Sequence, residues 1–143
     1  MTVLFSKKCE IGLQAVLYLS TEEEGDLFNA FQVSGKVKQP KEFVSKVLQI
    51  LTSSGIVGSK KGKNGGFFLA KPAEEIRLIE IVEAIDGLEV FEKCVLGFPE
   101  CGDTHPCPVH NSWGKIRDEA YNMLMNETLK DFKSKTLDKL LTL

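Results

Sequence analysis

Apolar residues near the start of the chain recur at the spacing of two amphipathic helices. The first helix is predicted over residues 7–20. Its apolar positions at helical spacing are Ile11, Ala15, Val16 and Leu19. The acidic stretch at residues 21–26 is interpreted as an exposed loop. A short second helix is predicted over residues 29–35, with Asn29 as its N-terminal cap and Phe31 facing inward.

A third, longer helix is predicted over residues 40–54, after a turn at residues 37–39. Pro40 suits the first helical position, because the N–H that proline lacks has no partner there in any helix. Gly55 is expected to end the helix in a left-handed cap. The apolar stripe of this helix comprises Phe43, Val44, Val47, Leu48, Ile50 and Leu51.

From residue 56 the apolar pattern changes to the period of a strand. Two short strands, residues 56–60 and 67–70, enclose a glycine-rich turn and predict a β-hairpin. A helix over residues 78–86 follows, and Gly87 closes it. Helix, helix, turn, longer helix and hairpin is the order of a winged helix-turn-helix, which we predict over residues 1–87.

The last part of the chain is predicted as a loop followed by a long helix. Residues 88–111 form a cysteine-containing loop, and Ser112 is predicted to cap the helix. A tail at residues 128–143 is predicted to carry one or two shorter helical turns. The apolar face of the long helix comprises Trp113, Ile116, Ala120, Met123 and Leu124. One small winged domain cannot cover so wide a face, which predicts a homodimer with its dimerisation helix and tail over residues 112–143.

The predicted fold class is therefore mainly α with a small β-hairpin, a winged helix-turn-helix plus a long C-terminal dimerisation helix. Composition agrees with one globular domain, since 43% of the 143 residues are hydrophobic and 27% are charged. No apolar run approaches the roughly 20 residues that span a bilayer, so no membrane partner is expected. The amino terminus lacks the apolar core of a secretory signal, which predicts a cytoplasmic protein and disfavours disulfides. Without a catalytic triad or nucleotide-binding motif, we do not expect an enzyme.

The net charge of −2 conceals a strongly basic segment. Residues 36–63 contain seven lysines and one acid, so this segment carries +6 and the rest of the chain −8. Such a concentrated basic surface can bind the phosphates of double-stranded DNA. The predicted DNA-binding residues are Lys38, Lys41, Glu42, Ser45, Lys46, Gln49, Lys60, Lys61 and Lys63. The lysines are assigned to phosphates, and Glu42, Ser45 and Gln49 to base edges.

Three of the four cysteines, Cys94, Cys101 and Cys107, lie within fourteen residues, and His110 follows. Thiolates are soft ligands for iron–sulfur clusters or zinc, and three cysteines with one histidine suit tetrahedral zinc. The absence of closely spaced Cys-x-x-Cys pairs favours iron–sulfur ligation. Direct oxidation of the thiols is a further alternative. Cys9, alone on the first helix, is interpreted as a packing residue.

Five short motifs stand in a specific order along the chain. They are SKK at 6–8, PKEF at 40–43, SGIV at 54–57, KGKNGGFFLA at 61–70 and CPVHNSW at 107–113. In this order they resemble the Rrf-two (Rrf2) family of winged-helix transcription regulators, and the resemblance covers nearly the whole chain. It implies a homodimeric regulator of a double-stranded DNA operator, with repression as the expected mode.

The resemblance also implies a cofactor, because cluster-binding members of the family use three cysteines in this loop. Cys94, Cys101 and Cys107 would then hold a [2Fe–2S] or [4Fe–4S] cluster. Six residues separate the first pair, one more than in the best-known cluster binders, and five separate the second pair, as in those proteins. The implied fourth ligand is His110, as in the family's cluster regulators. The alternative is Glu10 from the partner subunit, as in its nitric-oxide sensors.

Operator affinity is accordingly expected to respond to a redox, iron or nitric-oxide signal through the cluster. His105 is a further candidate ligand. Two alternatives stay open: a zinc-containing or thiol-based regulator without a cluster, and a small redox or metal-handling protein that does not bind DNA.

Overall fold

The computed structural model describes residues 4–21 and 26–142. Its helices are α1 (Lys7–Thr21), α2 (Ala30–Val37), α3 (Lys41–Ser53), α4 (Leu78–Ile85), α5 (His110–Asn126) and α6 (Leu129–Leu141). Strands β1 (Val57–Lys60) and β2 (Gly66–Leu69) form an antiparallel hairpin, and short 3₁₀ turns lie at Ala73–Glu75 and Glu89–Phe91. This confirms the predicted fold class. No helix in the described ranges is long and apolar enough to cross a membrane.

The core is organised around α1, which packs against α2, α3, α4 and α6. Gly12 allows a close approach to α4, because a Cβ at this position would collide with Cδ1 of Ile85. The side chains that α3 and α4 bury completely are Val44, Val47, Leu48, Leu51, Ile81 and Val82. α3 is therefore held by apolar packing along one side, which leaves its other side for binding.

A reciprocal capping box begins α2, and the predicted cap is confirmed. The Asn29 side chain accepts a hydrogen bond from the Gln32 N–H at 2.8 Å, and the Asn29 N–H donates to Gln32 Oε1 at 2.9 Å. The predicted inward direction of Phe31 is wrong. Ala30 and Val33 fill the buried face of α2, which leaves Phe31 70% exposed.

The turn between α2 and α3 lies one residue later than predicted. α2 continues to Val37, and Lys38 then takes a left-handed conformation with φ 53°. Pro40 precedes α3 as its cap residue, so the prediction that it occupies the first helical position is wrong by one residue. After α3 ends at Ser53, Gly55 has φ 83°, which confirms its predicted left-handed conformation.

The hairpin is tied to the segment before α2. In its register Lys60 pairs with Gly66, at the end next to the turn. Phe67 forms a further bridge with Phe28: the Phe28 N–H donates to the Phe67 carbonyl at 3.1 Å, and the Phe67 N–H to the Phe28 carbonyl at 2.7 Å. A Cβ at Gly66 would lie 2.8 Å from the Phe28 carbonyl carbon, so glycine permits this approach.

α5 begins at His110, and the prediction of Ser112 as its cap is wrong. Val109 precedes the helix without a side-chain cap. The predicted apolar face of α5 is divided between two environments. Leu124 is buried in the body, whereas Ile116 and Met123 are 55% and 54% exposed.

The tail after α5 is more regular than predicted. It forms the single thirteen-residue helix α6, which packs against α1, rather than one or two short turns. Leu129 is completely buried, and its N–H donates to the Ile76 carbonyl at 3.0 Å. Arg77 NH1 donates to the Met125 carbonyl at 2.6 Å. These contacts tie the end of α5 to the winged body.

Candidate functional site

The nine residues predicted to contact DNA lie on the side of α3 that does not face the core, in the turn before α3 and on the hairpin. Lys41, Glu42, Lys46 and Gln49 are exposed, and Ser45 is half-buried. Lys38, in the turn before α3, and Lys60, Lys61 and Lys63, at the hairpin tip, are also exposed. The structure therefore places all nine predicted residues on α3, its preceding turn and the hairpin.

The hairpin tip depends on one glycine. The Gly65 N–H donates to the Gly62 carbonyl at 3.0 Å, which closes the turn. A Cβ at Gly65 would collide with the carbonyl oxygen of Lys60. Glycine at this position thus lets the turn bring Lys61 and Lys63 together on a narrow tip, which is the shape of a wing that approaches a DNA backbone.

The cysteine loop brings its three thiols together. The sulfur atoms of Cys94, Cys101 and Cys107 all lie within 4.8 Å of one another. The Cys94 and Cys107 Sγ atoms are 3.4 Å apart, and the Cys107 N–H points at Cys101 Sγ at 3.4 Å. Residues that are far apart on an extended loop therefore converge on one point, with all three side chains partly exposed.

His110 joins this group from the first turn of α5. Its Nδ1 lies 3.3 Å from Cys101 Sγ, and its Nε2 lies 3.1 Å from Asp103 Oδ1. A carboxylate on one ring nitrogen orients the other nitrogen toward a metal in many histidine sites. Among the described residues, the compact group of ligand atoms consists of the three cysteine sulfurs; His110 adjoins it through Cys101, and the exposed His105 lies outside it. Glu10 also lies outside it, on α1 with Lys7 Nζ 3.9 Å away.

The thiols of the loop differ in acidity. Burial alone would raise the pKa of Cys94, but the backbone N–H groups of Phe98 and Leu96 and the neighbouring thiols lower this pKa to about 7. Burial and the Cys101 and Cys94 thiols raise the pKa of Cys107. The pKa values therefore make Cys94 ionise before Cys107, and an ionised sulfur is the form that binds metals and reacts with oxidants.

The distances indicate what the thiols can hold. Two thiolates on one tetrahedral ion at bonds of about 2.3 Å are about 3.8 Å apart. The three sulfur atoms lie within 4.8 Å of one another, and Cys94 Sγ and Cys107 Sγ are 3.4 Å apart, so they are compact enough for one ion. Thiolates on different irons of a cluster are farther apart, so the loop must widen to admit one. A cleft of about 570 Å³ borders Cys94 and Cys101 and leaves room for such widening. The soft, converging donor set thus fits a thiolate-bound metal centre.

Two residues that were not predicted as site residues connect this group to α5. Trp113 Nε1 and Arg117 NH1 both donate to the Lys93 carbonyl, at 3.1 Å and 3.3 Å. Both residues also line a small cavity of about 10 Å³ together with the three cysteines and His110. Helical spacing could have identified Trp113 and Arg117 from the sequence. They follow His110 by three and seven residues, and residues at these spacings lie on the same face of a helix.

Cys9 lies apart from the loop cysteines, in the core. Its side chain is completely buried on α1. Burial, together with the negative charge of Asp86 and a hydrogen bond to it, raises the pKa of Cys9 to about 12. The Asp86 carboxylate also accepts a hydrogen bond from the Ser6 N–H at 2.8 Å. A neutral, enclosed thiol of this kind serves packing.

Comparison with known proteins agrees with this architecture. Residues 5–135 match the Rrf2 family, described as iron-dependent transcriptional regulators. A protein of Aquifex aeolicus (strain VF5), named as an HTH-type transcriptional regulator, is 30% identical over 131 residues, which is 90% of each chain. The structure of CymR, the global cysteine regulator of B. subtilis, superposes with a TM-score of 0.75 at 21% identity over 92% of this chain and 96% of that one. T. potens IscR gives a TM-score of 0.70 at 19% identity over 91% and 85%. The chain belongs to the Rrf2 family of transcriptional regulators.

Proposed function

We propose that this chain is a homodimeric regulator whose affinity for its DNA operator is set by what the cysteine site holds. The observation that carries this proposal is the convergence of the three cysteine sulfurs within 4.8 Å of one another, with His110 Nδ1 3.3 Å from Cys101 Sγ, at the junction between the loop and α5. The same chain exposes lysines on α3 and at the tip of the hairpin, which forms the wing. A change at the junction can shift α5 and thereby the spacing of two DNA-reading helices.

DNA binding is supported by the charge and exposure of α3 and the wing. The lysines neutralise phosphates, and Glu42, Ser45 and Gln49 read base edges in the major groove. Titrations with genomic DNA fragments at several salt concentrations test this, because phosphate contacts make affinity fall steeply with salt. Lys46→Gln should reduce the slope of log affinity against log salt by about 1 per protomer. Lys115→Gln, an equal charge change on the exposed side of α5, should leave it unchanged, and salt-independent binding would refute the proposal.

Homodimerisation is supported by the exposed half of α5. Ile116 and Met123 lie seven residues apart, on one face of the helix, and each exposes more than half of its surface. A dimer formed through this face would present two α3 helices, which an operator with half-sites about 34 Å apart, one turn of DNA, requires. Ile116→Glu should convert the dimer to a monomer in analytical ultracentrifugation. A wild-type protein that sediments as a monomer would refute the dimer.

An iron–sulfur cluster is the occupant that we propose for the site, with the three cysteines and His110 as ligands. The description of the family as iron-dependent supports it. Anaerobic purification followed by absorption spectroscopy and analysis of iron and sulfide tests it. Substitution of any one of Cys94, Cys101 and Cys107 by alanine should abolish the cluster. Comparison of His110→Ala with Glu10→Ala identifies the fourth ligand, because only the true ligand changes the spectrum.

The compact geometry favours a second candidate, a regulator without a cluster. The donor distances suit a single tetrahedral ion such as zinc, with three thiolates and one imidazole. The Cys94 and Cys107 sulfurs, 3.4 Å apart, are also close enough for a disulfide after a small movement, with two protons and two electrons passing to an oxidant such as peroxide. Colourless protein with one zinc per chain supports the first of these forms. Metal-free protein that loses two titratable thiols on oxidation supports the second.

A further inference from the structure

Arg117 occupies an unusual position beside the cysteine site. It lies on α5 two helical turns after His110, and it lines the cavity of about 10 Å³ where the three thiols and the imidazole meet. Its NH1 donates to the Lys93 carbonyl at 3.3 Å. Its Nε is buried and has no hydrogen-bond partner in the described part of the chain. The Nε–H group of Arg117 is therefore a hydrogen-bond donor without an acceptor among the described residues, on a side chain that lines the same cavity as the cysteine thiols and His110.

Arg117 also lacks an ion-pair partner within the part of the chain that the structure describes. Glu92 lines the same cavity without pairing with it, and Asp103 contacts His110 instead. A partly buried cation with no partner lowers stability unless a negative group lies nearby. Three thiolates around one divalent ion, with a neutral imidazole, carry a net charge of about −1.

We propose that Arg117 is the counter-charge of the occupied cysteine site, its Nε–H donating to a metal-bound thiolate while its NH1 holds the loop through the Lys93 carbonyl. This inference rests on the proposed function, since it requires the site to bind a metal or a cluster. Arg117 acts here as a positioning residue, because it stabilises the ligands and does not itself bind the metal. Groups outside the ligand set commonly contribute 10- to 100-fold to metal affinity in this way.

A variant of Trp113 distinguishes the two roles of Arg117, its charge and its hydrogen bond to the Lys93 carbonyl. Trp113 Nε1 donates to the same Lys93 carbonyl at 3.1 Å, so it helps to hold the loop but carries no charge. Loss of Trp113 therefore loosens the loop while the counter-charge stays. Loss of Arg117 removes both the second donor to Lys93 and the charge.

The test uses the full-length chain loaded with Co²⁺, a tetrahedral stand-in whose thiolate-to-metal absorption bands report the ligands directly. The variants are Arg117→Gln, Arg117→Lys and Trp113→Phe, with Lys115→Gln as a control for charge on the same helix. Chelator competition should show Co²⁺ affinity falling about 10- to 100-fold in Arg117→Gln, with shifted charge-transfer bands. Arg117→Lys should recover part of the affinity, because it keeps the charge but lacks the Nε–H. Trp113→Phe removes one donor to the Lys93 carbonyl but no charge, so it should lower the affinity clearly less than Arg117→Gln does, and Lys115→Gln should stay within about threefold of wild type.

Other results of these measurements would contradict the proposed role of Arg117. Equal losses in Arg117→Gln and Trp113→Phe would mean that holding the loop is the whole role, and would overturn the counter-charge. Unchanged affinity and bands in Arg117→Gln, with a normal thermal midpoint, would overturn it as well. If wild-type protein binds neither Co²⁺ nor iron and sulfide on anaerobic reconstitution, the metal part of the proposed function fails first and this inference with it. For protein that does accept a cluster, Arg117→Gln should also lower the reduction potential, because a cation favours the more negative reduced state.

Discussion

In the winged body, side chains such as Leu48 and Ile81 are completely buried, and the helices that carry them pack against α1. The cysteine loop has the opposite character. No residue from 88 to 109 is fully buried, and Val95, Leu96 and Phe98 expose about half of their surface. The body can therefore derive its stability from apolar burial, whereas the loop cannot.

The loop instead concentrates its interactions at a few polar points. The thiols meet one another and His110, and the Lys93 carbonyl receives two donors from α5. A segment with so little buried surface opens easily, unless binding at those points adds free energy. One chain thus combines a body held by apolar burial with a loop that has little buried surface of its own to fix its shape.

A matched pair of leucines gives the largest test of this contrast. Leu48 on α3 is completely buried, and Leu96 in the loop is 54% exposed. Leu48→Ala should lower the free energy of unfolding by about 2–5 kcal/mol, because it leaves a cavity in the core. Leu96→Ala should change it by less than about 0.5 kcal/mol. Urea denaturation of the metal-free protein measures both, and similar losses would show that the loop is packed like the core.

The four cysteines provide a second test, of chemical reactivity. Cys94, with its pKa lowered to about 7, is substantially ionised at pH 7.5 and accessible, so iodoacetamide should modify it readily. Cys9, with its pKa raised to about 12 and its side chain buried, should react at least about 100-fold more slowly, since it must wait for the fold to open. Mass spectrometry of peptides at timed intervals gives both rates. Comparable rates would place Cys9 outside the core.

The same shift gives Cys9 a pH dependence of stability. Its pKa is raised on folding, so its contribution is fully present below the ordinary thiol value of 9.0 and is lost as pH rises from there toward about 12. Cys9→Ala should therefore flatten the fall of the thermal midpoint above pH 9. An unchanged alkaline profile in the variant would contradict this assignment.

Features set by short-range chemistry could be predicted from the sequence. The N-terminal cap at Asn29 and the left-handed Gly55 follow from rules that involve only a few neighbouring residues. The direction of Phe31 could not be predicted, because an eight-residue helix has too few turns to define its buried face. Contact with α1 and α3 decides that face. Ser112 was a plausible cap by residue type, but α5 begins earlier, at His110.

The grouping of the three loop cysteines could be predicted from the sequence, but their surroundings could not. The spacing of the cysteines and His110 pointed to one group, which the structure brings together. The contacts of Trp113 and Arg117 with the Lys93 carbonyl cross 20 and 24 residues of an irregular loop. Helix and strand periodicity cannot predict such contacts, since they depend on how the loop folds back on α5.

Glycines in the body and wing give a further, smaller test. Gly65→Ala should distort the wing tip, because the added Cβ collides with the Lys60 carbonyl oxygen. We expect DNA affinity to fall about tenfold, the loss of roughly one good contact of 1–3 kcal/mol. Gly35→Ala on α2 is the matched control, since a Cβ there meets no atom within 4 Å. Fluorescence anisotropy with operator DNA compares them, and equal affinities would mean that the wing does not contact the operator.

We expect the smallest effect from a substitution on α5, the helix that joins the cysteine loop to the winged body. Gly114 lies inside this helix, and a Cβ there would be 3.6 Å from Arg117 NH2, an ordinary van der Waals distance. Gly114→Ala should therefore stabilise the protein by about 0.5–1 kcal/mol, as removal of glycine from a helix interior usually does. Thermal unfolding measures the gain, and Co²⁺ affinity should stay unchanged because the guanidinium need not move. A loss of stability would instead mean that the Gly114 side of α5 is closely covered in the assembled protein, where even one methyl group has no room.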